Sequence, residues 1–157
     1  MFINNSDFTD ESQLIASRTV EIATSRGGKF IDIDHVIYAI FESPSKRIET
    51  ALHKIGVDIS KVQTRISSIV TNLSRPSGKK QKKITRSPSI AYLLEKAKSE
   101  SYWLGSNKIK PEHILLGTLH WYISNDKNSA VYKTLAKHGI YYEVIRNILK
   151  NELSDTV

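Results

Sequence analysis

Apolar residues recur along this chain at three- and four-residue spacing, in short runs broken by glycine, proline and capping residues, a rhythm that predicts helices throughout. In the first half, Thr9 is a good N-cap, and Asp10 and Glu11 favour the positive end of the helix that follows. Leu14, Ile15, Ile22 and Ala23 then recur at helical spacing, and Gly27-Gly28 is the expected stop. Asp32 can cap a second helix carrying Val36, Ile37, Ile40 and Phe41. A third is predicted from about Ser45 to Ile55, ending at Gly56. Asp58 opens a fourth with Ile59, Val62, Ile66, Ile69 and Val70 on one face. No segment alternates as a strand would.

The second half repeats this pattern. Ser87 is a capping residue and Pro88 stands at the favoured first helical position. Ile90, Leu93, Leu94 and Ala97 make a buried stripe. Pro111 begins a helix with Ile114, Leu115 and Leu119, Val131 and Leu135 mark a third ended by Gly139, and Val144, Ile145, Ile148 and Leu149 mark the last. Thr9 and Ser87, Gly27 and Gly105, Asp34 and Glu112, and His35 and His113 are each separated by 78 residues. Leu52 and Leu135, and Gly56 and Gly139, are separated by 83, which places a five-residue insertion in the polar Ser124–Ser129 loop. A constant register broken once in a loop is the mark of a duplicated unit. The expected fold is all-α: an eight-helix bundle of two pseudosymmetric four-helix repeats, the first about residues 8–73 and the second about 84–152, joined by a linker at 74–83.

The length of 157 residues suits one domain with a real core. The absence of cysteine removes disulfides, thiolate metal sites and a cysteine nucleophile. No apolar run reaches membrane-spanning length and the N-terminus has no signal-peptide pattern, so the expected location is cytoplasmic, with no membrane partner. Net charge is +7, and Lys79, Lys80, Lys82 and Lys83 carry four of those charges. A run of this kind can bind phosphates, which makes a basic nucleic-acid-binding helical protein the alternative function. The preceding Ser-Arg-Pro-Ser-Gly and the lack of interleaved aromatics favour a solvated linker instead.

Motifs for nucleotide hydrolysis, dinucleotide binding and HExxH metal chemistry are absent, so no catalytic residue, metal or cofactor is assigned and the chain is read as a non-enzyme. Asp34-His35 and Glu112-His113 are adjacent pairs, and neighbours on a helix point about 100° apart, which is poor chelating geometry. Each histidine is expected to pack near its helix start. His53, His120 and His138 have no partner at suggestive spacing, and Trp103, Trp121, Tyr122, Tyr141 and Tyr142 divide between packing and recognition. The repeated constellation is a hydroxyl at one helix start (Thr9, Ser87) and a carboxylate at the next (Asp34, Glu112). A helix N-terminus favours an anion and a carboxylate holds a guanidinium, so together they suit a ligand with both charges. Plain capping accounts for the same residues.

These residues also carry a family resemblance. Leu104-Gly105 followed by Pro111-Glu112-His113-Ile114-Leu115-Leu116-Gly117 resembles the "LG…TEHILLG" signature of the N-terminal double Clp repeat of ClpC- and ClpA-type AAA+ unfoldases, and Phe8-Thr9-Asp10-Glu11 resembles its opening. The resemblance covers roughly Phe8 to Lys150, with the first half more diverged. It implies a non-catalytic protein-binding module that recognises substrates or adaptors and feeds or modulates a Clp ATPase–protease, with those proteins as partners. It also implies phosphoarginine sites at Thr9 and Asp34 in the first repeat and at Ser87 and Glu112 in the second. Asp34 is one methylene shorter than the family's Glu, which favours the second site. No Walker motif follows, so a free-standing protein is expected rather than a fragment of a larger ATPase.

Overall fold

Capping residues set the helix boundaries. The computed structural model describes residues 4–25, 30–73 and 85–154. Thr9 Oγ1 accepts the Ser12 N–H at 3.3 Å and its carbonyl accepts the Gln13 N–H at 3.0 Å, opening α1 (Asp10–Ser25). Asp32 Oδ1 accepts from Ile33 at 2.8 Å to open α2 (Ile33–Glu42), and Ser45 Oγ accepts from Ile48 at 3.3 Å to open α3 (Lys46–Lys54). Asp58 Oδ1 accepts from Lys61 at 3.3 Å at the start of α4 (Ile59–Leu73). In the second half come α5 (Pro88–Trp103), α6 (Pro111–Asn125), α7 (Ala130–Lys137) and α8 (Tyr142–Ser154). Gly56, Gly105 and Gly139 follow α3, α5 and α7 with φ of 75°, 76° and 78°, the left-handed turn that a β-carbon would resist. Ser87 occupies the N-cap position of α5 as expected, but its hydroxyl pairs with that of Ser89 instead of a backbone N–H. Gly27-Gly28 and the 74–83 segment with its four lysines lie outside the described residues.

Two helices, one per half, form the centre. On α2, Ile33, Ile37, Ile40 and Phe41 are fully enclosed, and on α6 Leu115, Leu116, Leu119 and Tyr122 are. Helices apolar around most of their circumference must be covered on most sides. Around them, the buried stripe of α1 runs Ser12, Ile15, Thr19, Ile22 and Ala23. Leu14 was expected on that stripe yet is 70% exposed, because Ser12 and Thr19 complete it. Both satisfy their hydroxyls on carbonyls, Ser12 on Ile109 at 2.8 Å and Thr19 on Ile15 at 2.7 Å. On α8 the stripe is Tyr142, Ile145 and Leu149, leaving Val144 exposed. A buried carboxylate, Glu100 of α5, ties this helix in: Arg146 Nε lies 3.0 Å away, Lys96 Nζ 3.4 Å, and the Tyr142 hydroxyl donates to it.

The two halves are joined by a reciprocal backbone exchange. β1 (Phe30–Ile31) and β2 (Thr85–Arg86) pair in parallel, and the Ser87 N–H donates to the Ile31 carbonyl at 3.2 Å. On the other side Phe8 bridges Ile109 in parallel, and the Thr9 N–H donates to the Ile109 carbonyl at 3.1 Å. Ile31 and Ile109 are 78 residues apart, as are Thr9 and Ser87. The entry to each half therefore pairs with the segment that leads into the second helix of the other half.

Helices α5 and α6 pack tightly at Gly117. A β-carbon on Gly117 would lie 2.7 Å from Leu93 Cδ1 and 2.8 Å from the Leu93 carbonyl oxygen. The side chain can rotate away but the carbonyl cannot without moving α5. Gly117→Ala is expected to cost about 1–3 kcal/mol by overpacking despite its better helix propensity. Thermal unfolding followed by circular dichroism should show a melting temperature several degrees lower.

Candidate functional site

The start of α6 sets the geometry of a cavity lined mainly by charged and hydroxyl side chains. Pro111 opens the helix, and His113 accepts the Lys110 N–H on Nδ1 at 2.9 Å, closing the turn with its ring 2% exposed. The same device recurs at α2, where His35 Nδ1 accepts the Asp32 N–H at 3.1 Å. Both histidines therefore pack at their helix starts. A ring nitrogen that accepts from the backbone cannot carry a proton, and burial disfavours the cation further: His35 is lowered and His113 falls to about 4.

With His113 fixed, Glu112 faces an open cavity of about 520 Å³ lined also by Thr9, Glu11, Ser45, Lys46, Arg47, Lys110 and Glu152. Glu112 is only 5% exposed, and burial raises its carboxyl above the usual range. Arg47 Nε stands 3.7 Å from Glu112 Oε2 and 3.3 Å from Glu152 Oε2. Ser45, Lys46 and Arg47 belong to the start of α3, so this acid of the second half meets the third helix of the first.

The sequence expectation grouped Thr9 with Asp34 and Ser87 with Glu112. The structure groups Thr9 with Glu112, because the backbone exchange carries the opening of α1 to Ile109. Asp34 turns inward and accepts a hydrogen bond from the Tyr122 hydroxyl of α6, with Ser129 at the start of α7 also bonded to it. Burial raises its carboxyl, against the lowering effect of Tyr122. The Ser87 hydroxyl sits with that of Ser89, which donates to Asp32 Oδ1 at 3.0 Å. Arg47, Tyr122 and Ser12 complete these arrangements and were not identified from spacing. From the sequence Tyr122 is one of several aromatics that divide between packing and recognition, and no periodic signal marks Arg47.

A second feature crosses the junction of the halves. A groove of about 240 Å³ runs between α1 and α5, lined by Ser12 and Ile90, Ile15 and Leu93, Ala16 and Leu94, and Val36 and Ile114. Each of these pairs is separated by 78 residues, so the groove straddles the pseudo-twofold axis. Phe8 and Val20 extend it, and Val20 is 45% exposed. Among the described residues, no group of three or more histidine, aspartate or glutamate side chains gathers as a metal site, and no helix is long and apolar enough to cross a membrane.

Residues 7–138 match the model of the Clp repeat (R) N-terminal domain. The chain belongs to that family. Relatives of this Clp N-domain include the chaperone protein ClpB of Bacteroides thetaiotaomicron, 25% identical over 96% of the chain, which spans 16% of that relative's length. Among solved structures, the Hsp104 N-terminal domain from Candida albicans superposes with a TM-score of 0.74 at 18% identity, covering 94% of this chain and 91% of that one. A ClpV N-domain in complex with a VipB peptide gives 0.70 at 20% identity, covering 96% and 89%. At these identities the superpositions establish the shared fold.

In this Clp N-domain the histidine caps dictate a pH response. Unfolded His113 takes up a proton below about pH 6.5, whereas the folded ring does so only near 4. Stability held at neutral pH is thus lost as pH falls through this window, by roughly 3 kcal/mol at pH 4. Urea unfolding of His113→Gln, which keeps an acceptor for the Lys110 N–H without titrating, should show a flatter stability profile between pH 7 and 4 than the parent. Because the raised Glu112 acts in the opposite sense in both proteins, the difference between the two profiles isolates the histidine.

Proposed function

We propose that this chain is a non-catalytic protein-binding module that takes up segments of substrate or adaptor proteins for a Clp-type ATPase. The observation that carries this reading is the apolar groove between α1 and α5. It is preformed, it opens to solvent, and its lining is drawn from equivalent positions of both repeats. Grooves of this kind receive the apolar face of an extended or helical segment. The related ClpV N-domain, solved with a VipB peptide, supports a peptide-binding role. Because the chain spans only 16% of its ClpB relative, the Clp ATPase itself, its peptidase and any adaptor are partners proposed here. Ala16 is exposed and lines the groove, so Ala16→Asp should leave the fold intact. With fluorescently labelled, reduced and carboxymethylated α-lactalbumin as an unfolded client, anisotropy should report binding at least about fivefold weaker in that variant, the loss expected from placing one unpaired charge in an apolar contact. Equal binding would reject the groove.

The Glu112 cavity supports a second, finer reading: recognition of phosphoarginine. Thr9 and Glu112 share this cavity, with Lys46 and Lys110 beside them, so a guanidinium would meet Glu112 and a phosphate would meet the hydroxyl and lysines. Ser87 and Asp34 are the equivalent pair, proposed as the weaker site because Asp34 is engaged by Tyr122. Isothermal titration with free phosphoarginine should give a dominant site that is lost in Glu112→Ala. Titration heats equal to those of the parent would sink this assignment.

A further inference from the structure

Glu112 is a carboxylate more than nine-tenths buried and lining a cavity; Lys110 and Arg47 both favour its charge, Glu11 opposes it, and the guanidinium of Arg47, at 3.7 Å, is its ion-pair partner. That separation is too long for the paired hydrogen bonds that make arginine–carboxylate contacts strong. Arg47 is held more closely by another acid, Glu152 of α8, at 3.3 Å, and Glu152 also takes Lys54 at 3.2 Å. Arg47 is the second residue of α3 and its side chain is 36% exposed, so its tip can swing without disturbing the helix. If it left Glu112 it would keep Glu152 as a partner. The equivalent acid in the first repeat is held differently. Asp34 accepts from Tyr122, a fully enclosed neutral donor with no route out.

We propose that Arg47 is a built-in occupant of the Glu112 carboxylate, which a cationic side chain of a bound protein displaces towards Glu152. This rests on reading the Glu112 cavity as a site for a guanidinium. The occupant adds to the support that Lys110 and the backbone N–H of Glu112 give this buried acid in the free protein, and it sets a threshold that an incoming cation must exceed. A ligand that offers a planar guanidinium at hydrogen-bonding distance would replace the long contact with a short one, while Arg47 retreats to an acid it already touches. The site is thus regulated by the chain's own arginine, and its ligand class is a guanidinium carried on a peptide.

The test is a titration of the full chain with Nα-acetyl-L-argininamide, followed by amide chemical shifts in nitrogen–proton NMR spectra, which also confirm that each variant is folded. Parent, Arg47→Ala, Glu112→Gln and the double variant are compared. Loss of a half-exposed ion-paired competitor should tighten binding by roughly three- to fivefold in Arg47→Ala. The gain should vanish when Glu112→Gln is added. Binding to Arg47→Ala that equals or falls below the parent overturns the proposal, and if Glu112→Gln alone still weakens the parent, the cavity reading stands without it. A gain that persists in the double variant also overturns it, as a general effect of removing one positive charge. Failure of every variant to bind the probe at tens of millimolar rejects both this proposal and the cavity reading on which it rests.

Discussion

Two backbone hydrogen bonds, from Thr9 to Ile109 and from Ser87 to Ile31, determine how the rest of this molecule is arranged. Each links the entry of one repeat to the segment that launches the second helix of the other. Such a bond fixes a helix start in position and direction, because its donor is itself an N-cap and its acceptor stands immediately before the N-cap of the other helix. Ser12 reinforces one of these junctions by donating to the same Ile109 carbonyl. Without the exchange, each repeat would be a four-helix unit exposing the apolar face of α2 or α6. With it, those two helices are brought together and covered by α1 and α5. The groove over the pseudo-twofold axis is what remains where α1 and α5 fail to meet completely.

The run from Glu112 to Gly117 shows how densely one short segment can be used. Glu112 faces the polar cavity, His113 closes the helix start, and Ile114 lines the groove. Leu115 and Leu116 fill the centre, and Gly117 admits the backbone of α5. Successive residues on a helix point in different directions, so a contiguous signature of this kind marks a helix surrounded on every side. The motif is therefore explained largely by packing and capping. Of its six positions, Glu112 and Ile114 line the two larger spaces described above, and His113 borders a small one beside Glu112.

Helices, caps and the duplication were legible in the sequence because each depends on local chemistry and on a period that a single chain displays. The 78-residue register that matches His35 to His113 also matches the residues across the groove. What the sequence did not disclose was which halves of each site meet. A repeat invites the assumption that its hydroxyl and its acid act together, and Thr9 was accordingly grouped with Asp34. A twofold exchange reverses that grouping while leaving every local signal unchanged, since it depends on contacts between residues far apart in the chain, Thr9 with Ile109 and Ser87 with Ile31. Leu14 failed for a related reason. The polar Ser12 and Thr19 occupy the buried face because their hydroxyls find carbonyls there, and hydropathy alone cannot see those partners.

The two acids show how a duplicated device can diverge without altering the fold. Both lie at the second position of their helices, both follow a cap closed by histidine, and both are raised by burial. Their surroundings come from the third helix of the opposite repeat and from whatever reaches it. In the first repeat a tyrosine of α6 reaches Asp34, and the shorter side chain suits an inward bond to a fixed donor. In the second, the longer Glu112 faces outward and meets a flexible arginine. A neutral donor buried in the core is lost only if the core opens, whereas a half-exposed cation with a second acid nearby exchanges readily. The same histidine-capped helix start is therefore a structural joint in one repeat and a buried acid opening on a cavity in the other, and one methylene together with one neighbour separates the two.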